Sequence, residues 1–173
     1  MVLRCDLPYR QIRPGGPPGP GDAARDRAGL KNAVEAMRGL TAGTSGVAAG
    51  RVFLGGHSYG GRQASMLCAE EAGLVAGLVL MSYPLHPPRK PEQLRVQHLP
   101  KLKTPALFVS GSRDPFGSVE ELEEALRLIP ARTKLVVVNR AGHDLIVKKK
   151  AESADLARKI ADEFEAFYGE SVS

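Results

Sequence analysis

Residues 52–61 read VFLGGHSYGG, and this stretch decides the fold. Its apolar start predicts a short buried strand, and a helix-compatible stretch with Ala64 and Leu67 follows the glycines. Between them lies the pattern G-x-S-x-G around Ser58. Glycines two positions to either side let strand and helix approach closely while the serine is held in a strained turn with its hydroxyl exposed. The stretch therefore predicts strand, turn and helix with Ser58 as a candidate nucleophile, and a glycine-rich turn with an idle serine is the alternative.

Short apolar runs alternate with helical patterns along the chain. The runs are bounded by glycine, proline or charge and lie at residues 2–5, 52–54, 74–81, 106–110 and 135–138. Helical spacing of apolar residues occurs after Asp22, a possible N-cap, then after a capping box of Ser118 and Glu121, and again over residues 156–167. Because the runs are apolar on both faces, they predict an α/β fold, with a mostly parallel sheet of about five strands flanked by helices on both faces.

The length of 173 residues fits one compact unit, so residues 1–173 are predicted to form a single domain. Two proline-rich stretches, 7–21 and 82–105, each follow a predicted strand and are expected to be loops or a small lid at the carboxyl edge of the sheet. The second is basic, with Arg89, Lys90, Arg95, Lys101 and Lys103 against Glu92. It is expected to border Ser58 and to favour an acidic substrate or partner, or else to be a solvated surface loop.

Charge and hydropathy exclude several classes of function. The net charge of +5 is concentrated in that basic segment, where Tyr83 is the only aromatic residue, so no nucleic-acid binding is predicted. No apolar stretch approaches the roughly 20 residues of a membrane span, and no signal peptide follows Met1. We therefore expect a soluble, cytoplasmic protein that does not bind a membrane.

Cysteine and glycine patterns exclude metals and cofactors. Cys5 and Cys68 lack the C-x-x-C spacing and are expected to be reduced thiols, with no metal site and no disulfide. Residues 56–63 come close to a phosphate-binding loop, but Arg62 and Gln63 replace the lysine and the Ser/Thr that such a loop requires. No cofactor is predicted.

A serine nucleophile needs a base, and the base needs an acid that orients it. His143 follows the last predicted strand, and Asp114 follows the preceding one, so Ser58, Asp114 and His143 come after successive strands in an order that suits a hydrolase. His57 is expected to point away from its neighbour Ser58, and Asp144 to cap the segment after it. The alternatives are a turn aspartate at position 114 and a solvated histidine at position 143.

Several stretches resemble the α/β-hydrolase family, and more narrowly a small branch related to dienelactone hydrolases that includes the testis-expressed protein thirty and a subunit of the non-specific-lethal chromatin complex. They are residues 3–10, LRCDLPYR; 55–62, GGHSYGGR; 111–117, GSRDPFG; and 142–144, GHD. The resemblance extends over almost the whole chain. It implies a serine hydrolase acting on an ester or thioester, without naming the substrate, and no chromatin role is carried over.

One departure from the family pattern has consequences. The family's sheet begins with earlier strands and a glycine-containing loop that supplies a second oxyanion donor, whereas this chain begins at what resembles a later strand. The backbone N–H of Tyr59 supplies the first donor, and the second has no counterpart. The chain is therefore expected to be an N-terminally shortened hydrolase of weak activity, whose flanking strands pair directly or whose open edge leads to a homodimer.

Two hypotheses follow. The leading one is hydrolysis of a small acyl ester or thioester through an acyl-enzyme on Ser58, in which His143 moves the proton, Asp114 orients His143 and the Tyr59 N–H binds the oxyanion. The alternative is a binding or scaffold protein that keeps the fold and turns nothing over.

Overall fold

A computed structural model describes residues 1–19, 21–42, 51–146 and 150–169. Within these ranges four parallel strands form one sheet in chain order, β1 (Phe53–His57), β2 (Gly77–Met81), β3 (Ala106–Gly111) and β4 (Thr133–Val138). The helices are α1 (Pro8–Ile12), α2 (Asp22–Ala42), α3 (Tyr59–Glu70), α4 (Val119–Leu126) and α5 (Lys150–Gly169), with a 3₁₀ turn at Leu99–Lys101. The predicted α/β class and parallel sheet are confirmed.

Helices cover both faces of the sheet, as the sequence predicts. Strand side chains such as Leu78 and Phe108 share one core with α3 and α4, and α2 packs beside α3 on that side. The strand side chains on the other face of the sheet, such as Leu107 and Val136, share a second core with α5. This alternation follows from the pleat, which sends successive side chains to opposite faces.

The predicted strand at residues 2–5 is wrong. This segment is exposed, with Val2 at 89% exposure, and it has no regular structure. A strand is stabilised by a hydrogen-bonded neighbour, and among the described residues the sheet contains only β1 to β4, so residues 2–5 pair with no strand. The sheet therefore has four strands where the sequence suggests about five.

The two proline-rich stretches are more ordered than the sequence suggests. Pro8 opens α1, because proline at the first helical position sacrifices no hydrogen bond; residue 20 lies outside the described residues. In the stretch 82–105, Tyr83, Leu85, Leu99 and Leu102 are buried in the core shared with α3 and α4. This segment is thus anchored to the domain by apolar side chains.

Helix starts follow the sequence signals. Ser118 Oγ accepts a hydrogen bond from the Glu121 N–H, and the Ser118 N–H donates to Glu121 Oε2 at 2.8 Å, so the predicted capping box is confirmed. Helix α2 begins at Asp22, but this residue is the first of the helix and not its N-cap, and its carboxylate accepts from the Gly19 N–H before the helix. None of the described helices is long and apolar enough to span a membrane.

Candidate active site

Ser58 sits in a tight turn between β1 and α3. Its backbone has φ 52° and ψ −122°, a region that costs a non-glycine residue roughly 1–3 kcal/mol. The turn closes because Gly56 and Gly61 touch: a Cβ on Gly61 would lie 2.7 Å from the Gly56 carbonyl oxygen. Ser58 N–H donates to the Met81 carbonyl of β2, which fixes the turn at the carboxyl edge of the sheet.

Ser58, His143 and Asp114 form a continuous hydrogen-bonded series. His143 Nδ1 lies 2.9 Å and 3.0 Å from the two Asp114 carboxylate oxygens, so this nitrogen carries the proton and donates. Nε2 is then free to accept, and the Ser58 hydroxyl donates to it at 2.7 Å. The side chain of Asp114 is only 1% exposed, which leaves its charge to act on the imidazole and not on water.

Two loops at the carboxyl edge position Asp114 and His143. Asp114 follows β3 in a turn in which its Oδ1 accepts from the Phe116 N–H at 2.9 Å. The loop of His143 follows β4 and is joined to the loop of Asp114 where the Arg113 N–H donates to the Ala141 carbonyl. By contrast, Asp144 accepts from the Ile146 N–H and takes no part in the series.

Two further residues contact His143, and sequence reasoning missed both. The Nε2 of His57 lies 2.7 Å from the His143 carbonyl oxygen, and the two rings are 5.3 Å apart. The Phe116 ring lies 4.1 Å from the His143 ring, tilted by 33°, and covers it. Adjacency to Ser58 and the motif DPFG were the available signals, but neither predicts the path of the loop after β4.

Tyr59 follows the serine and is anchored by a buried carboxylate. Its backbone N–H is the first of α3 and therefore has no acceptor within the helix. Its hydroxyl donates to Asp26 of α2 at 2.9 Å, and Asp26 also accepts from the Tyr9 N–H of α1. Burial and the Asp26 charge raise the pKa of the Tyr59 hydroxyl, so it stays protonated and donating.

No three His, Cys, Asp or Glu side chains of the described residues cluster as a metal site requires. Cys5 is an exposed free thiol and Cys68 a buried one. Burial raises the pKa of the Cys68 thiol to about 12, so it is a packing residue and not a nucleophile.

The family of the chain follows from its sequence match. A family model described as an alpha/beta hydrolase domain matches residues 2–169. This chain belongs to the alpha/beta hydrolase family. The match covers every element described above, including the tight turn at Ser58 and the loops of Asp114 and His143.

Solved structures with the same fold are longer. The dienelactone hydrolase from Anabaena variabilis ATCC 29413 has 24% identity and a TM-score of 0.60, and covers 84% of this chain. Monoacylglycerol lipase from Paleococcus ferrophilus has 13% identity, a TM-score of 0.63 and the same 84% coverage. The alpha/beta hydrolase MGS-MChE2, from a lagoon-sediment metagenome, has 19% identity, a TM-score of 0.61 and 92% coverage. The chain spans 60%, 76% and 77% of these proteins, respectively, so its fold is a shortened version of theirs.

Proposed function

We propose that this protein is a serine hydrolase that cleaves an ester or thioester through an acyl-enzyme on Ser58. The observation that carries the proposal is the series Asp114, His143 and Ser58, whose hydrogen bonds measure 2.7–3.0 Å. Each group has the neighbour that its role requires: the hydroxyl meets an unprotonated nitrogen, and the ring's other nitrogen meets a buried carboxylate.

The reaction proceeds in two balanced steps. Ser58 Oγ attacks the acyl carbon while its proton passes to His143 Nε2, and the Tyr59 N–H donates to the oxygen that gains negative charge. The bond to the leaving group then breaks, and His143 returns the proton to that group. Water next loses a proton to Nε2, attacks the acyl carbon and breaks its bond to Oγ, which regains the proton. Asp114 stabilises the imidazolium in both steps.

The test is hydrolysis of short activated esters by purified wild type and Ser58→Ala. We expect the variant to lose about 10⁴-fold or more in kcat, because the nucleophile is gone. Ser82→Ala is the matched control: Ser82 also has positive φ at the sheet edge, and its buried hydroxyl has no partner, so its loss removes no hydrogen bond. Equal rates for wild type and Ser58→Ala above background overturn the proposal.

The identity of the acid is tested by a second pair of variants. Asp114→Asn replaces the carboxylate that accepts from His143 Nδ1, so we expect a loss approaching that of Ser58→Ala. Asp144→Asn alters only a turn hydrogen bond to Ile146 and is expected to stay active. The reverse pattern assigns the acid role to Asp144.

A scaffold without turnover is the second candidate function. It is favoured by the sequence, which offers the Tyr59 N–H as one oxyanion donor and no counterpart of the family's second donor, because loss of one donor commonly costs about 10²–10³ in turnover. Labelling with a fluorophosphonate discriminates between the two. Modification of Ser58 in wild type and its absence in Asp114→Asn support the enzyme, and a folded protein that takes no label supports the scaffold.

We further propose that the chain lies in the branch related to dienelactone hydrolases and acts in the cytoplasm. The first is supported by the stretches LRCDLPYR, GGHSYGGR and GSRDPFG, and the second by two free thiols in a chain without a disulfide among its described residues. Fractionation of cells that express a tagged protein tests the compartment.

A further inference from the structure

A basic cluster of Arg62, Arg95 and His98 begins one helical turn after the candidate nucleophile. Arg62 is one helical turn after Ser58 in α3, and its N–H donates to the Ser58 carbonyl at 3.0 Å. The Ser58 N–H donates to the Met81 carbonyl, and Tyr83 follows two residues later. The backbone of Ser58 is therefore hydrogen-bonded to Arg62 and to Met81, which lies two residues before Tyr83.

Side-chain hydrogen bonds hold the cluster together. The Tyr83 hydroxyl donates to the Arg95 carbonyl at 2.9 Å. The Ser65 hydroxyl donates to the Arg62 carbonyl, so it accepts from His98 Nε2, which lies 2.8 Å away. The main chain at both arginines is thus fixed by neighbours that are themselves buried or half-buried.

The charge of this cluster is not balanced by a carboxylate. Other arginines of the same face are ion-paired, as Arg27 is with Glu70 at 3.0 Å, but within the described ranges neither Arg62 nor Arg95 forms such a pair. Burial and the Arg62 charge lower the pKa of Arg95, and burial with the Arg62 and Arg27 charges lowers that of His98 to about 4. His98 is therefore neutral at pH 7, while both guanidiniums are charged.

One nitrogen of the cluster lacks any partner. The Nε of Arg62 is buried and meets neither a protein acceptor nor solvent. Two neighbouring guanidiniums that repel each other cost stability, and an anion that accepts hydrogen bonds from both of them offsets that repulsion.

We infer that the substrate of this hydrolase carries an anionic group, a carboxylate or a phosphate, that binds Arg62 and Arg95 while Ser58 attacks the ester or thioester. The inference rests on the proposed function and adds a substrate class to it. The exposed cations Arg89 and Lys90 of the same segment have no part in this site, because they are solvated and lie outside the hydrogen-bonded cluster.

Turnover measurements test the inference with paired substrates. Nitrophenyl half-esters of dicarboxylic acids of increasing chain length are compared with neutral esters of matched length. Wild type is expected to prefer the best half-ester by about tenfold or more in kcat/KM, and Arg62→Gln and Arg95→Gln to bring that ratio close to one. Arg89→Gln and Lys90→Gln are matched controls that keep the wild-type ratio. An unchanged ratio in both Arg62→Gln and Arg95→Gln, or no preference in wild type for either substrate pair, overturns the inference.

A second substrate pair distinguishes the source of the anion. A coenzyme A thioester carries phosphates on its leaving group, and the corresponding N-acetylcysteamine thioester carries none. An Arg62-dependent preference for the first assigns the anion to the leaving group, and one for the half-esters assigns it to the acyl chain.

Binding without turnover separates this inference from the proposed function. Calorimetry with glutarate and with inorganic phosphate uses Ser58→Ala, which retains the cluster, and the double variant Ser58→Ala/Arg62→Gln. Binding that the double variant loses supports the anion site even if wild type hydrolyses nothing, in which case only the proposed function fails. Ester hydrolysis that depends on Ser58 but is indifferent to Arg62 overturns the inference alone.

Discussion

The contact between the acid and base loops depends on Gly111, the last residue of β3. A methyl group at this position would overlap the carbonyl oxygens of Ala141 and Gly142, which belong to the loop that carries His143. The Asp114–His143 hydrogen bond spans the same gap. The geometry of the site thus requires a residue without a side chain at position 111.

Gly111→Ala is expected to push the two loops apart. We predict a loss of about 10²-fold in kcat/KM, because displacements near 1 Å misalign proton transfer, and a destabilisation of about 1–3 kcal/mol from overpacking. Ester hydrolysis and urea unfolding measure the two effects. Gly142→Ala is the control, since the nearest atom to its Cβ would be 3.8 Å away. A fully active Gly111→Ala shows that the loops do not need this contact.

His57 is expected to position His143 through a backbone hydrogen bond, without taking part in proton transfer itself. Its Nε2–H donates to the His143 carbonyl, so His57→Leu removes the bond, whereas His57→Gln offers an amide N–H of similar reach. We predict that His57→Leu lowers kcat about tenfold with little change in KM, and that His57→Gln restores most of it. Equal losses in the two variants assign the effect to ring packing against His143 and refute a role for the hydrogen bond.

At the scale of elements, Asp26 joins three helices. This fully buried carboxylate on α2 accepts from Tyr9 of α1 and from Tyr59 of α3, whose rings are also 5.5 Å apart. A carboxylate suits this position because it offers only acceptors, whereas an amide would turn donors towards donors. The first turn of α3 is thereby joined to both α1 and α2.

A double-mutant cycle of Asp26→Asn and Tyr59→Phe measures that coupling. We expect a coupling free energy of about 1–3 kcal/mol in urea unfolding, because the pair is buried. Lys31 and Glu71 link the same two helices at the surface, with side chains 41% exposed, and are expected to couple more weakly than Asp26 and Tyr59. A surface coupling equal to or larger than that of Asp26 and Tyr59 contradicts this account.

His98, next to the 3₁₀ turn, is expected to make stability depend on pH. Burial and the charges of Arg62 and Arg27 lower its folded-state pKa from 6.5 to about 4. The unfolded chain therefore binds a proton more readily, so this contribution is complete above about pH 6.5 and is lost as the pH falls through about 4. In His98→Gln, which keeps a donor for Ser65, the unfolding free energy is expected to fall less over that range. Parallel profiles for the two proteins contradict the prediction.

Sequence patterns predicted an element well where the interactions that stabilise it are between residues close together in the chain. The capping box at Ser118 and the turn at Ser58 are local, so spacing is enough to predict them. Pairing is not local: residues 2–5 are apolar enough for a strand, yet they have no hydrogen-bonded neighbour. The contact of His57 with His143 could not be predicted for the same reason, because it depends on how a loop 86 residues later folds back. Whether residues 82–105 act as a lid stays a prediction.

At the scale of the whole molecule, α5 closes the second face of the sheet and ties both edges to it. Arg51, just before β1, donates to the Tyr168 carbonyl, and Arg132, just before β4, donates to the Phe167 carbonyl. Cations suit the carboxyl end of a helix because its last carbonyls are unpaired. The Tyr168 hydroxyl, between β2 and β3, donates to the Leu78 carbonyl at 2.6 Å. The helix thus contacts all four strands or their approaches.

The outer edge of β1 is open in the described part of the chain. The Val52 carbonyl accepts from the Ala76 N–H, and in a parallel pair the backbone groups of one residue bond to the same neighbour. Leu54 and Gly56 therefore face β2, whereas Phe53 and Gly55 direct their N–H and C=O groups outward. An edge of this kind is a template for another strand, although a strand of 5 residues offers little length.

We predict weak self-association through this edge. The net charge of +5 opposes contact between copies, so association is expected at high protein concentration and is strengthened by salt, which screens that repulsion. Sedimentation velocity over a concentration series measures the dimer, and amide hydrogen exchange locates it. Phe53 and Gly55 are expected to exchange fast in dilute samples and to become protected as the dimer forms, while Leu54 and Gly56 are protected throughout. A monomer at every concentration and salt, with Phe53 and Gly55 always unprotected, refutes the prediction, and a dimer without protection at these amides assigns the interface to another surface.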